Sequence, residues 1–174
     1  MRLQSVQRVF ASPFGGSEQA VDLLNDRWLC SMEIPQDFHA TNAALEAFIA
    51  AMRGQTNTVA LYHFGTQTPR GTLASATASA ASQGASAVTL SGTGTLKAGD
   101  MIGISGLLLQ VAADVSISGS GSVTLVNRLR TAVSGAVTFT RPTATFRLVN
   151  APAVNYLGGA FTEPVSLEFA EVVA

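Results

Sequence analysis

The stretch RWLCSMEI at residues 27–34 decides the fold class of this 174-residue chain. Its even positions are apolar, and they are occupied by Trp28, Cys30, Met32 and Ile34. Its odd positions are polar, apart from Leu29. Successive side chains of a strand point to opposite faces, so this alternation is typical of a strand with one face on a core. The stretch therefore predicts a half-buried β-strand.

Related patterns occur elsewhere in the chain. Residues 58–64 form a second strand-like run, and the alternation returns at residues 143–149 and 165–172. Because strands that bury one face pair with similar strands, we expect these segments to share one sheet. The sequence thus predicts a mainly β protein, in which residues 1–71 and 142–174 form a β-sandwich-like body.

One amphipathic helix is predicted in this body, at about residues 41–53. Its apolar residues recur at positions i, i+3, i+4 and i+7, which are Leu45, Phe48, Ile49 and Met52. Residues at this spacing lie on one face of a helix, so we expect the stripe to pack on the sheet. Thr41 or Asn42 is the expected N-cap, and Gly54 is expected to stop the helix.

The composition changes after residue 71. Residues 72–87 are rich in Ala, Ser and Thr and carry no charge. Such a segment is typical either of a flexible linker or of an extended arm that reaches a neighbouring subunit. Residues 88–141 contain short β-like runs separated by Gly-rich turns. This spacing predicts a small β-barrel or sandwich that is inserted into the body and folds independently of it.

The charge content bears on possible partners. Charged residues make up 12% of the chain, against about 25% in a typical soluble domain. A surface with few charges loses little solvation when it is buried, so it suits packing against copies of itself, although a monomeric β-protein is the alternative. The net charge of -1 and the absence of Lys or Arg runs argue against nucleic acid as a partner. No apolar stretch approaches the ~20 residues needed to span a membrane, so membrane insertion is not expected.

Residues with catalytic or metal-binding potential are few. His39 and His63 lack a second ligand at metal-binding spacing, and each is predicted to be a hydrogen-bonded structural histidine. No serine lies in a GxSxG motif, and Cys30 is predicted to be a packed thiol. The carboxylates considered for paired acid and base chemistry are Asp100, Glu163, Glu168 and Glu171. We interpret Glu168 as part of a solvated strand face and Glu171 as a residue of the chain terminus. The sequence predicts no catalytic, cofactor-binding or metal-binding residue, no cofactor and no enzyme activity.

Two sets of motifs resemble the tail proteins of long-tailed bacteriophages and prophages of Gram-negative bacteria. The first set comprises ASPFGGSEQ at 11–19, DRW at 26–28, AF at 47–48, RG at 53–54 and PRGT at 69–72. The second set comprises LKAGD at 96–100, LQVAAD at 109–114, GSGS at 119–122, LR at 129–130 and FRL at 146–148. These are mostly turn and packing residues, and no catalytic residue carries over from the family.

The resemblance implies a role similar to that of distal tail proteins, whose β-rich body forms a ring beneath the tail tube. The expected partners are copies of the chain itself, the tail tube and tail-tip proteins. The expected location is the virion tail, with the host cytoplasm during assembly. An adjoining tail-tip component and a tail assembly protein fit the same motifs. The alternatives are a head decoration protein and a glycan-binding module for the host surface, for which Tyr156 is a potential exposed aromatic residue.

Overall fold

A computed structural model describes residues 1–11, 15–23, 25–150, 152–158 and 160–172. The fold is mainly β, with 52% of residues in strands and 8% in helix, and it includes a curled half-barrel sheet. The predicted mainly β class with one packed helix is therefore confirmed. The turn-rich motif at 11–16 falls partly on residues 12–14, which lie outside the described ranges.

The described residues contain fifteen strands and one helix, α1 (His39–Ala51). Numbered in chain order, the strands are β1 (Arg2–Gln4), β2 (Gln7–Ala11), β3 (Glu18–Asp22), β4 (Arg27–Ile34), β5 (Thr58–Tyr62), β6 (Ala76–Ala81), β7 (Ala87–Leu96), β8 (Met101–Ile104), β9 (Leu107–Gln110), β10 (Val115–Thr124), β11 (Val133–Thr138), β12 (Thr143–Leu148), β13 (Tyr156–Leu157), β14 (Phe161–Thr162) and β15 (Val165–Glu171).

The body contains a five-stranded antiparallel sheet in the order β1-β4-β15-β12-β5. Strand β4 is the alternating stretch at residues 27–34, and Trp28 and Cys30 on its inner face are buried. It pairs with β15 in a register that places Cys30 opposite Phe169. Strands from both ends of the chain therefore meet in one sheet, as the alternation at 143–149 and 165–172 predicted.

Helix α1 packs on this sheet through the predicted stripe. Met52 lies in the buried core, and Leu45, Phe48 and Ile49 pack against it. The predicted N-cap was wrong, because Phe38 occupies that position without a side-chain capping bond. The first backbone N–H of the helix instead donates to the carbonyl of Ala160 at 2.8 Å.

Asn42, which was expected as an alternative N-cap, does not cap the helix. It lies inside the helix, is buried, and donates its side-chain amide to the hydroxyl of Thr162. This bond joins the first turns of α1 to β14. The start of the helix is thus fixed by tertiary contacts, which a local capping signal does not encode.

The insertion forms a six-stranded antiparallel sheet in the order β10-β7-β6-β11-β8-β9. The sheet curls until its outer strands meet at one end, where Val111 and Leu125 form an isolated bridge. Two backbone bonds flank the bridge, from Ala112 N–H to Thr124 at 2.9 Å and from Val126 N–H to Gln110 at 2.8 Å. These contacts close the curled sheet at that end around an apolar core of its own.

The interpretation of residues 72–87 as a linker or arm is corrected by the structure. Strand β6 (Ala76–Ala81) lies inside the six-stranded sheet, between β7 and β11. Leu73, Ala76 and Ala78 are buried in the insertion core. Alanine is a weak strand former, so the segment shows no local strand signal, and its two neighbours stabilise it as a strand.

The chain enters the insertion through a closely packed crossing. At Gly71, a Cβ atom would lie 1.9 Å from the carbonyl oxygen of Thr95, so the backbone approach there requires glycine. The fully buried carboxylate of Asp100 accepts the backbone N–H groups of Arg70 at 2.9 Å, Lys97 at 2.8 Å and Gly71 at 3.2 Å. These bonds fix the position at which the chain passes from the body into the insertion.

Candidate functional site

Several large apolar side chains of the described residues are exposed, and they include two groups that are held on paired backbone. The first is a cluster of aromatic side chains that we call the aromatic patch, formed by Phe38, His39, Tyr156 and Phe161. The Phe38 and Phe161 rings stack with their centroids 4.7 Å apart, and His39 meets Tyr156 edge-on at 4.9 Å. Phe38 is 55% exposed and Tyr156 is 52% exposed. Aromatic rings that remain in water after folding mark a binding surface.

Backbone pairing holds the aromatic patch in place. Phe38 and Phe161 form an isolated β-bridge, and Thr162 N–H donates to the carbonyl of Asp37 at 3.0 Å. The start of α1 and the β13–β14 hairpin are thereby joined. The rings are presented on paired backbone, which limits the entropy lost when a partner binds.

One carboxylate bonds to the aromatic patch, and two others lie next to its residues along the chain. The Tyr156 hydroxyl donates to Glu46 at 2.6 Å, and Glu163 accepts the amide of Asn155 at 2.9 Å. The bond to Glu46 raises the pKa of Tyr156. Asp37 precedes Phe38, and residues 35–50 contain no Lys or Arg. The aromatic patch is therefore both apolar and acidic.

The second exposed surface is the antiparallel pair β2–β3, which we call the hairpin. Its two strands form a separate two-stranded sheet. Every residue of β2 is exposed, including Val9 at 61% and Phe10 at 54%. An isolated hairpin of this kind is at best marginally stable in water, so a partner that covers it would stabilise it.

The body and the insertion meet in a buried contact that we call the seam. The indole N–H of Trp28 donates to the carbonyl of Leu108 at 2.8 Å, and Arg130 of the insertion pairs with Glu171 of the body. Glu171 also accepts the backbone N–H of Trp28 at 2.9 Å. Burial raises the pKa of Glu171, against the opposing effects of these two donors. A pocket of about 340 Å³ lies beside the pair.

The carboxylates considered for paired chemistry have separate surroundings. Asp100 accepts backbone N–H groups in the crossing, and Glu171 is buried in the seam. Glu168 is exposed on the opposite face of β15, and Glu163 is bonded to Asn155 at the aromatic patch. Glu168 is solvated as predicted, whereas Glu171, near the end of the chain, is only 3% exposed, and Asp100 is fully buried.

The structure places the histidines in two different environments. His39 begins α1 and lies in the aromatic patch. His63 packs edge-on against Trp28 at 6.3 Å, and its buried Nδ1 has no hydrogen-bond partner among the described residues. The hydrogen-bonded role predicted for the two histidines stays a prediction. Burial lowers the pKa of His63, because a protonated ring would be desolvated.

The thiol of Cys30 is buried in the body core, which confirms the packed thiol predicted from the alternation. Burial raises its pKa. Within the described ranges, no group of three His, Cys, Asp or Glu side chains is arranged to hold a metal ion. Helix α1, the one helix in those ranges, is not long and apolar enough to cross a membrane.

No protein-family model matches this chain, and no curated protein shows significant similarity to it. The aromatic patch and the hairpin are the candidate functional site because both expose large apolar side chains on paired backbone. Sequence reasoning identified Tyr156 as a potential exposed aromatic residue but missed Phe38, Phe161 and the hairpin. The pairing of Phe38 with Phe161 has no local signature, and the exposure of Phe10 in β2 is likewise a tertiary property.

Proposed function

We propose that this chain is a structural subunit of the tail of a long-tailed phage or prophage, and that copies of it assemble into a ring. In this proposal the ring lies in the distal tail, in contact with the tail tube and tail-tip proteins. The subunit folds in the host cytoplasm and is retained in the virion. The motif resemblance over most of the chain and the low share of charged residues support this assignment.

The observation that carries the proposal is the hairpin. Its strands pair with each other and expose Val9 and Phe10 on opposite faces. A projecting hairpin with apolar side chains on both faces is costly in a monomer, since it exposes apolar area and has little tertiary support. A subunit that inserts its hairpin against a neighbour removes both costs.

Two measurements test this function. Native mass spectrometry of the purified chain is expected to show one closed oligomer of defined mass. Electron microscopy of particles that carry an epitope tag at Gln83, in the exposed turn between β6 and β7, is expected to show label at the distal end of the tail. Label on the head would instead indicate a decoration protein. Particles without label, together with a chain that stays monomeric, would overturn the proposal.

A further inference from the structure

We propose that the hairpin of one subunit docks on the aromatic patch of the next copy of this chain. The inference rests on the proposed ring and names the two surfaces that would build it. The occupant of the aromatic patch is a second copy of this chain.

The register of the hairpin gives its two faces different chemistry. Residues directly opposite each other in an antiparallel pair share a face. Arg8 is opposite Val21 and Phe10 is opposite Gln19, so these four residues lie on one face. That face carries a cation, an aromatic ring and an aliphatic side chain. Glu18 is opposite Ala11 and lies on the other face.

The aromatic patch is complementary to the Arg8 face. It offers the outer surfaces of Phe38 and Phe161 to an apolar partner, and it is bordered by the carboxylates of Glu46 and Glu163. A guanidinium pairs with a carboxylate and also packs over an aromatic ring. Arg8 and Phe10 together present the groups that such a surface binds, and aromatic residues and Arg dominate the binding energy of protein interfaces.

Ring symmetry requires two different surfaces on each subunit. A head-to-tail contact joins one surface of a subunit to a different surface of the next, and it closes into a ring when the rotation permits. The hairpin and the aromatic patch are two such surfaces on one chain. A twofold dimer would instead require the hairpin and the aromatic patch to lie within one self-complementary surface, so that both junctions form between the same two subunits.

The experiment uses one variant of each surface in the full-length chain. R8E reverses the charge of the hairpin face, and E163K reverses a carboxylate at the aromatic patch. Each variant alone is expected to weaken self-association at least about tenfold in sedimentation velocity, which corresponds to about 1.4 kcal/mol. E18K, on the other face of the same hairpin, is the matched control and is expected to assemble as the parent chain does. Circular dichroism melts check that all three variants stay folded.

Mixing the two defective variants gives the decisive result. R8E retains an intact aromatic patch and E163K retains an intact hairpin, so one junction of an equimolar mixture is that of the parent chain. The other junction sets the carboxylate of the R8E hairpin against the ammonium of the E163K aromatic patch, which exchanges the two charges and keeps the pair attractive. We therefore expect the mixture to regain in native mass spectrometry the larger assemblies that each variant alone fails to form. Rings that form undiminished from either variant would overturn the docking while leaving the tail location of the parent chain untouched.

A glycan ligand for the aromatic patch is the competing outcome. A parent chain that stays monomeric and binds host surface polysaccharide, with binding lost in Y156A, would overturn the docking in favour of a glycan site. The labelled particles distinguish this result from failure of the proposed function, because a monomeric glycan-binding chain can still be located at the tail. Absence of label from the tail would count against the function itself.

Discussion

Arg130 and Glu171 form a buried ion pair at the seam. Their side chains are 10% and 2% exposed, and they join the insertion to the body. One guanidinium nitrogen of Arg130, Nη1, is buried without a hydrogen-bond partner among the described residues. Burial of such a pair is costly, and the desolvation of the Arg130 guanidinium is only partly offset by its bond to Glu171.

Replacing Arg130 with Met is expected to lower the free energy of unfolding by about 3 to 5 kcal/mol, because Glu171 would remain buried without its partner. Urea unfolding followed by tryptophan fluorescence measures the loss. The double variant R130M/E171L is expected to recover part of it, since both charges are then gone although the Trp28 N–H loses its acceptor. K97M, which removes the exposed pair with Asp114, is the control and should cost about 0 to 1 kcal/mol. A small loss in R130M would mean that water reaches Glu171.

His63 makes stability depend on pH. Its folded-state pKa is lowered from 6.5 by burial, so the unfolded chain binds a proton more readily than the folded chain. The folded state is therefore fully favoured above pH 6.5 and loses stability as the pH falls from there towards the lowered pKa. The free energy of unfolding, measured by urea titration between pH 5 and 7.5, is expected to lose this pH dependence in H63Q. The exposed H39Q is the matched control, and an equal loss of slope in both variants would contradict the assignment.

At the scale of elements, α1 and the body sheet share one apolar layer. Phe48 lies half-buried over Phe169, with ring centroids 6.4 Å apart, whereas Phe169 is 1% exposed. Replacing Phe48 with Ala should therefore cost about 1.5 to 3 kcal/mol, and F169A should cost about 3 to 5 kcal/mol. Guanidinium unfolding of both variants tests this order. If F48A costs less than about 0.5 kcal/mol, the helix contributes little to the core.

The elements that could be predicted from sequence are those whose signal is local. Strand β4 alternates, and the stripe on α1 recurs with helical spacing, so both were identified from a few adjacent residues. Strand β6 was not, because its Ala, Ser and Thr residues become a strand only between β7 and β11. The N-cap of α1 was misassigned for a related reason, since Ala160 bonds the first helical N–H.

At the scale of the whole molecule, the contacts between distant segments could not be inferred. No property of the residues around Phe38 indicates that Phe161 will stack on it, and nothing near Arg130 indicates Glu171. Both pairings follow from the order of strands in the sheets, which a single sequence does not reveal. The candidate site was predicted only as far as Tyr156, because exposure of the other aromatic residues is a tertiary property.

The body and the insertion also share part of one core. Strands β8 and β9 have two buried faces, so that Ile102 and Leu109 point into the insertion core while Met101 and Leu108 lie in the body core. The sequence predicted an insertion that folds independently of the body. These contacts favour a different outcome, in which the body depends on the insertion.

Joining Gly71 to Pro142 through a short Gly/Ser linker tests this dependence. The shortened body would lose Met101 and Leu108 from its core, the acceptor of the Trp28 indole, and the partner of Glu171. We expect it to lose its cooperative transition in differential scanning calorimetry, because the cavity and the unpaired carboxylate each cost several kcal/mol out of a total of about 5 to 15. The excised residues 70–142 keep their own core and the bridge between Val111 and Leu125, so they are expected to melt cooperatively. A shortened body that melts cooperatively near the transition of the full chain would show that the two parts are separable after all.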